Sequence, residues 1–203
     1  MTDRLPELDA ALLARIAILQ AEGRAIRDRF EVEVRQHDFH PFIPADYDCV
    51  LEALLGVRAP GLRFLEWGSG SGVITIMADL LGFDAAGIEL DASLVAIARD
   101  LARRHDSRAR FVEGSFLPAG YEWCSESGDR RLGTIGVGDA GYTELGVALA
   151  DFDLVFGYPW SGEEPMMLDI MRRHGGAGAR LLVHGPGREV RTFRAGELQP
   201  SPG

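Results

Sequence analysis

The sequence predicts an α/β protein: a doubly wound, mostly parallel sheet with helices on both faces, preceded by an N-terminal helical segment. Three observations lead there. Short apolar runs alternate with helical stretches from about residue 62 onward. The runs are continuous rather than alternating, as expected of strands covered on both faces. The first of them, FLEW, leads straight into glycines at 68, 70 and 72.

Residues 7 to about 36 hold no proline and a single glycine, and Leu8, Leu12, Ile16, Leu19, Ile26, Phe30 and Val34 step by threes and fours. That spacing is one apolar stripe of a long helix, with Gly23 on the same stripe. Such a stripe must cover something: either the helix lies across its own domain, or it forms the seam of a homodimer. Prolines 41 and 44 break this helix, and Ala45-Asp46 open a second that runs to about Leu55. GVRAPG is then the linker that divides a helical cap, 1–60, from the main domain, 61–203.

In that domain RFLEW is followed by GVITIMADLLG, AAGIEL by DASLVAIARDLARRH, and ARFVEG by a long irregular piece; DFDLVFGYP is followed by EPMMLDIMRRHGG and then ARLLVHG. Five strands with crossovers give a parallel sheet. A short sixth strand fits around Glu189 to Arg194, and a long closing hairpin does not.

Composition narrows the function classes. No apolar run approaches the roughly 18 residues of a membrane span, and the opening MTDRLPELDA lacks the layout of a signal peptide. The expectation is a cytoplasmic protein with no membrane contact. Cys49 and Cys124 lie far apart and read as packing residues, without a disulfide frame or a thiolate metal site. His37 and His40 form H-x-x-H but lack a third ligand of clear spacing, so they read as structural and no metal is expected. Lys plus Arg total 21 against 31 Asp plus Glu, a net charge of -10, which argues against a nucleic-acid partner.

The glycines carry the sharpest signal. In a doubly wound sheet the ligand sits beyond the carboxyl ends of the strands, where the strand order reverses. A glycine loop there lets the backbone approach a ligand closely, and the helix beginning near Val73 aims its positive end at the same spot. The dinucleotide fingerprint is G-x-G-x-x-G, whereas here Gly72 arrives one position early and Glu66 precedes the set by two. This E-x-G-x-G-x-G resembles the first motif of class I S-adenosylmethionine-dependent methyltransferases, which are Rossmann-like.

The resemblance covers about residues 62 to 186. It implies S-adenosyl-L-methionine as cofactor, with Glu66, Trp67, Gly68, Ser69, Gly70 and Gly72 around its methionine and ribose parts and Glu66 orienting the amino end. Glu89, with Leu90 after it, stands seventeen residues past Gly72, where the family keeps an acid for the two ribose hydroxyls. A carboxylate can accept two hydrogen bonds from such a diol. On residues alone Glu89 could equally be a helix-entry acid, since Asp91 and Ser93 look like caps. Gly114, Ser115 and Phe116 end the third strand, with Ser115 where the family commonly has an aspartate for the adenine amino group. Gly157-Tyr158-Pro159-Trp160 echoes the N-P-P-Y element of amine-methylating members, with Gly157 replacing the asparagine. A fainter pattern, GSGSGVITI, GIEL before SLVAIAR, and VFGYP before a Met-Met-Leu helix, is similar to small protein-lysine methyltransferases.

Tyr158 and Trp160 are either core aromatics or the walls of a dry pocket for a cation, and Trp67 raises the same choice. Glu163 and Glu164 open the next helix; the plain reading is dipole partners, the sharper one that either draws in an amine and takes its proton. PFIPADYD would fold over the cofactor through Phe42 and Tyr47, as segments before the first strand do in this family. The glycine-rich stretch 121–142 is either a surface loop or a substrate gate.

The expectation is therefore a methyltransferase acting on an unidentified acceptor, a protein amine or a small molecule. A non-catalytic cofactor-binding module is the alternative from another class, and a dinucleotide oxidoreductase comes third.

Overall fold

The computed structural model describes residues 5–33, 43–122, 139–160 and 162–199. Val34, His37, His40, Phe42, Cys124, Ser161 and most of the 121–142 stretch lie outside the described residues.

Helix α1 spans Ala10–Glu33 and α2 spans Tyr47–Val57. The sheet strands are β1 Arg63–Trp67, β2 Asp84–Glu89, β3 Arg110–Glu113, β4 Leu154–Gly157, β5 Arg180–His184, β6 Val190–Arg194 and β7 Glu197–Leu198. Between them run α3 Val73–Leu80, α4 Ala92–Arg104, α5 Gly141–Leu145 and α6 Glu164–His174. The sheet order is β3-β2-β1-β4-β5-β6-β7. The first five strands are parallel, and β6 and β7 return antiparallel. The order reverses between β1 and β4, which is the switch point of a doubly wound sheet. The closing hairpin exists but is short, because β7 has only two residues.

Helix α1 begins three residues later than its periodicity suggested. Asp9 accepts the Leu12 N–H at 2.8 Å and so caps the first turn, leaving Leu8 outside the helix and 47% exposed. Leu12, Ile16, Leu19, Gly23, Ile26 and Phe30 are buried. Most of that stripe shares one core with α2, α3 and β1, so the helix lies on its own domain. Gly23 makes this possible: a Cβ there would stand 2.4 Å from Val73 Cγ2, so only glycine lets α1 cross so near the start of α3. Every residue of α3 is buried between the sheet and these helices.

Among the described residues no helix is long and apolar enough to cross a membrane. The connection after β3 closes on itself. Ser115 N–H donates to Asp139 O at 2.9 Å and Gly141 N–H donates to Ser115 O at 2.8 Å, so the chain leaves and re-enters the sheet edge at one point.

Candidate active site

Beyond the carboxyl ends of β1, β2 and β4 lies a cavity of about 540 Å³. The glycine loop from Glu66 to Ser71 forms one wall; Ile88, Glu89, Leu90, Gly114 and Phe116 form the next. Tyr158, Pro159, Trp160, Gly162, Glu163 and Glu164 close the far side, and Ile43, Pro44, Ala45 and Tyr47 reach in from the segment before α2. Four carboxylates line this space, from Glu66, Glu89, Glu163 and Glu164, and no lysine or arginine does so among the described residues. Their oxygens offer hydrogen-bond acceptors to a ligand's donors.

Four of the loop's backbone donors, those of Gly68, Ser69, Gly70 and Gly72, are engaged within the protein. Gly68 and Ser69 N–H groups both donate to Ile88 O, at 2.9 and 3.0 Å, and Gly72 N–H donates to Ser69 O at 2.8 Å. Gly70 N–H donates to Glu89 Oε2 at 2.8 Å, while Glu89 Oε1 accepts the Asp91 N–H at 3.0 Å. Glu89 thus pins the loop to the end of β2, whatever else its remaining lone pairs accept.

Glu66 is 4% exposed. Its Oε2 accepts the Thr75 N–H at 2.9 Å and also the Thr75 hydroxyl. That carboxyl therefore sits at the N-terminus of α3, where an anion would otherwise bind. Here the expectation changes: the helix's positive end faces the protein's own acid instead of a ligand. Burial pushes the Glu66 carboxyl up from 4.5 to about 8; the Thr75 hydrogen bonds oppose the rise and the nearby Glu89 charge adds to it.

Three residues expected at the cofactor stand outside the cavity wall, each for a packing reason. At Gly72 φ is +81°, and a Cβ would come within 2.7 Å of Phe111 and 2.8 Å of Ala98, so this glycine seats the start of α3 against β3 and α4. On Gly157 a Cβ would meet Met167 Sδ at 2.8 Å, so this glycine gives the flexible Met167 side chain of α6 its place on β4. Ser115 is 3% exposed, and its Oγ accepts the Leu117 N–H at 3.1 Å, within its own loop. Gly68 differs from Gly72, since φ is +68° and the space beside it is open. Ser69 Oγ is buried and has no hydrogen-bond partner among the described residues.

The aromatic walls are held by partners that the sequence did not reveal. Trp67 is 2% exposed, and its Nε1–H donates to Tyr142 Oη at 2.9 Å. Tyr142 donates in turn to Phe116 O at 2.7 Å, and the Trp67 and Phe116 rings stack with centroids 5.1 Å apart. Burial raises the Tyr142 phenol pKa, against the lowering effect of the Trp67 hydrogen bond. Tyr47 is likewise raised by burial and then by the Glu66 charge.

Glu163 and Glu164 part company. Glu163 is 5% exposed, and its Oε2 accepts the Trp160 N–H at 2.9 Å while its own N–H donates to Trp160 O at 3.0 Å. This reciprocal turn fixes Trp160 in the wall. Glu164 Oε2 lies 2.5 Å from Arg191 Nη2, so its charge is met from β6. His184, which sequence reasoning passed over, also lines the cavity. Its only sequence signal was a polar residue ending an otherwise apolar strand.

No family model matches the chain. A stretch of 69 residues is 41% identical to ribosomal protein L11 methyltransferase of Thermus thermophilus, covering 34% of this chain and 27% of that one. The match thus spans about a quarter of that relative's length. An RNA methyltransferase from Salinibacter ruber, solved in complex with S-adenosyl-L-homocysteine, superposes with a TM-score of 0.51 at 18% identity, over 70% of this chain and 76% of that chain. The fold is that of the class I, Rossmann-like methyltransferases. Precorrin-6y C5,15-methyltransferase from Geobacter metallireducens gives a TM-score of 0.48 at 18% identity, over 69% and 63% of the two chains. Within this methyltransferase fold the cavity lies at the switch point of the strand order.

Proposed function

We propose that the protein is an S-adenosyl-L-methionine-dependent methyltransferase. One observation carries the reading: the switch-point cavity is walled by carboxylates with no lysine or arginine among the described residues, and its glycine loop gives the Gly68, Ser69, Gly70 and Gly72 N–H groups to Ile88, Glu89 and Ser69. A dinucleotide needs free N–H groups and a helix N-terminus for its pyrophosphate. Here the Gly68, Ser69, Gly70 and Gly72 N–H groups are engaged and Glu66 occupies the helix end. A ligand bearing a sulfonium and an ammonium suits that wall. The residues fit such a group: the open side of Gly68 leaves room for close approach of a ligand to the backbone.

When bound, the cofactor supplies a methyl group already activated on sulfonium sulfur. The chain's share is binding, alignment and exclusion of water. Glu66 and Glu89 hold the cofactor side, Trp67 and Phe116 wall it, and Tyr158 and Trp160 face the acceptor. The acceptor we favour is an amine, because Glu163 is a buried carboxylate on the side of the cavity away from the glycine loop. It draws in the ammonium and takes its proton, freeing the lone pair that attacks. A small-molecule acceptor is the second reading, favoured by the enclosure of Glu163. A binding module without catalysis is the third, favoured by glycine at position 157, which brings no amide to the end of β4. We place the protein in the cytoplasm and expect no nucleic-acid partner, given the net charge of -10.

Calorimetry with S-adenosyl-L-methionine and its demethylated product tests the cofactor, with NADH as the competing ligand. Transfer of tritiated methyl to a cell extract, followed by separation of protein from small molecules, tests catalysis and sorts the acceptors. Binding of NADH in place of the sulfonium ligand would overturn the reading.

A further inference from the structure

The turn after β5 is laced to the first turn of α2. His184, 5% exposed at the end of β5, accepts the Asp46 N–H on Nε2 at 3.2 Å. Arg188 Nε lies 2.5 Å from Asp46 Oδ2, and Cys49 Sγ donates to the Arg188 carbonyl. Asp46 in turn caps α2, accepting the Asp48 and Cys49 N–H groups at 3.1 and 3.2 Å. The His184 ring also lies against Tyr158, with centroids 4.7 Å apart and planes tilted by 58°. One imidazole therefore touches two separate walls of the cavity: the segment that carries Pro44, Ala45 and Tyr47, and the aromatic end of β4.

Since Nε2 is the acceptor, the imidazole is neutral and carries its proton on Nδ1. That nitrogen is buried, with only a strained approach to the backbone of the adjacent Gly185 to meet it. An ordinary core position would favour an apolar side chain of similar size over a ring that leaves one polar atom poorly matched. The ring is thus kept for what its other nitrogen does.

We propose that His184 is a positioning residue, clasping the 43–47 segment and Tyr158 into the two walls between which cofactor and acceptor meet. The proposal rests on the methyltransferase reading for its effect on binding, while the clasp itself can be measured without any ligand. Two substitutions separate the hydrogen bond from the volume. His184→Leu keeps bulk and removes the acceptor; His184→Gln carries an amide oxygen to about the reach of Nε2.

With S-adenosyl-L-methionine as titrant, H184L loses about tenfold in affinity and H184Q restores most of it. Hydrogen exchange of the Asp46 amide follows the same order, protected in the parent protein and H184Q and released in H184L. Should H184L fail to fold, His184→Asn, whose amide is too short to reach Asp46, takes its place in both measurements. Equal affinity and equal Asp46 protection in the parent and in H184L would overturn the proposal. A parent protein that binds no cofactor yet shows the protection pattern sinks the functional reading and leaves the clasp standing.

Discussion

Replacing Glu66 with glutamine tests the electrostatics of the site most directly. Its carboxyl rises from 4.5 to about 8 because burial outweighs the two Thr75 hydrogen bonds. Below pH 4.5 the folded and unfolded chains both hold this proton and the group contributes nothing. From there to about pH 8 the unfolded chain has released the proton while the folded chain keeps it. Stability therefore falls with rising pH, by about 1.4 kcal/mol per pH unit. At pH 7 the cost reaches about 3 kcal/mol, and above the folded value it levels off near roughly 5 kcal/mol. Glu66→Gln removes the titration and keeps an acceptor for Thr75, so its stability should stay flat where that of the parent declines. Urea unfolding at about pH 5.5, 7 and 8.5 reads the difference. A cation bound beside Glu66 draws the pKa back down, so the parent should release a proton on binding S-adenosyl-L-methionine and E66Q should not. Calorimetry in two buffers of different ionisation enthalpy counts that proton. An identical decline of stability with pH in both proteins would refute the reasoning.

Three further substitutions address packing and chemistry. Gly72→Ala forces a Cβ against Phe111 and Ala98 at a left-handed φ of +81°; it should cost at least about 3 kcal/mol by denaturant unfolding, and a loss under about 1 kcal/mol would show the loop to be looser than described. Leu19→Ala, at a fully buried position of α1, should cost about 2–5 kcal/mol in monomer stability; unchanged monomer stability with a shifted sedimentation equilibrium would instead point to a seam between copies. Glu163→Gln should lower turnover by about 100-fold or more with cofactor affinity intact, while Glu164→Gln should leave turnover near the parent value because Glu164 is paired with Arg191. Equal effects of the two replacements, in a methyl-transfer assay, would remove Glu163 from proton transfer.

Much of the fold was legible because local and global signals agree along this chain. Continuous apolar runs meet the demand of strands buried on both sides, and Asp46 and Asp91 announce α2 and α4 by capping them. The stripe of α1, with Gly23 on it, was readable as a face that must cover something. What comes close to Gly23, Val73 at the start of α3, was not readable, since a glycine records only that room is needed. The same ambiguity holds for Gly72 and Gly157. Their spacing looked like ligand contact, yet each admits a neighbouring side chain, and only Gly68 of the contrasted glycines faces open space.

Sequence alone determined the order of elements, the place of the switch point and the acid-flanked glycine turn, because these depend on periodicity and on residues near one another in the chain. Tertiary structure decided which acids face the cavity, which are already met by Arg191, Thr75 or backbone N–H groups, and that His184 bridges two walls from opposite ends of the chain. Those partners lie from nine to 138 residues apart, and a charge or a hydrogen bond acts only at the distance that folding creates.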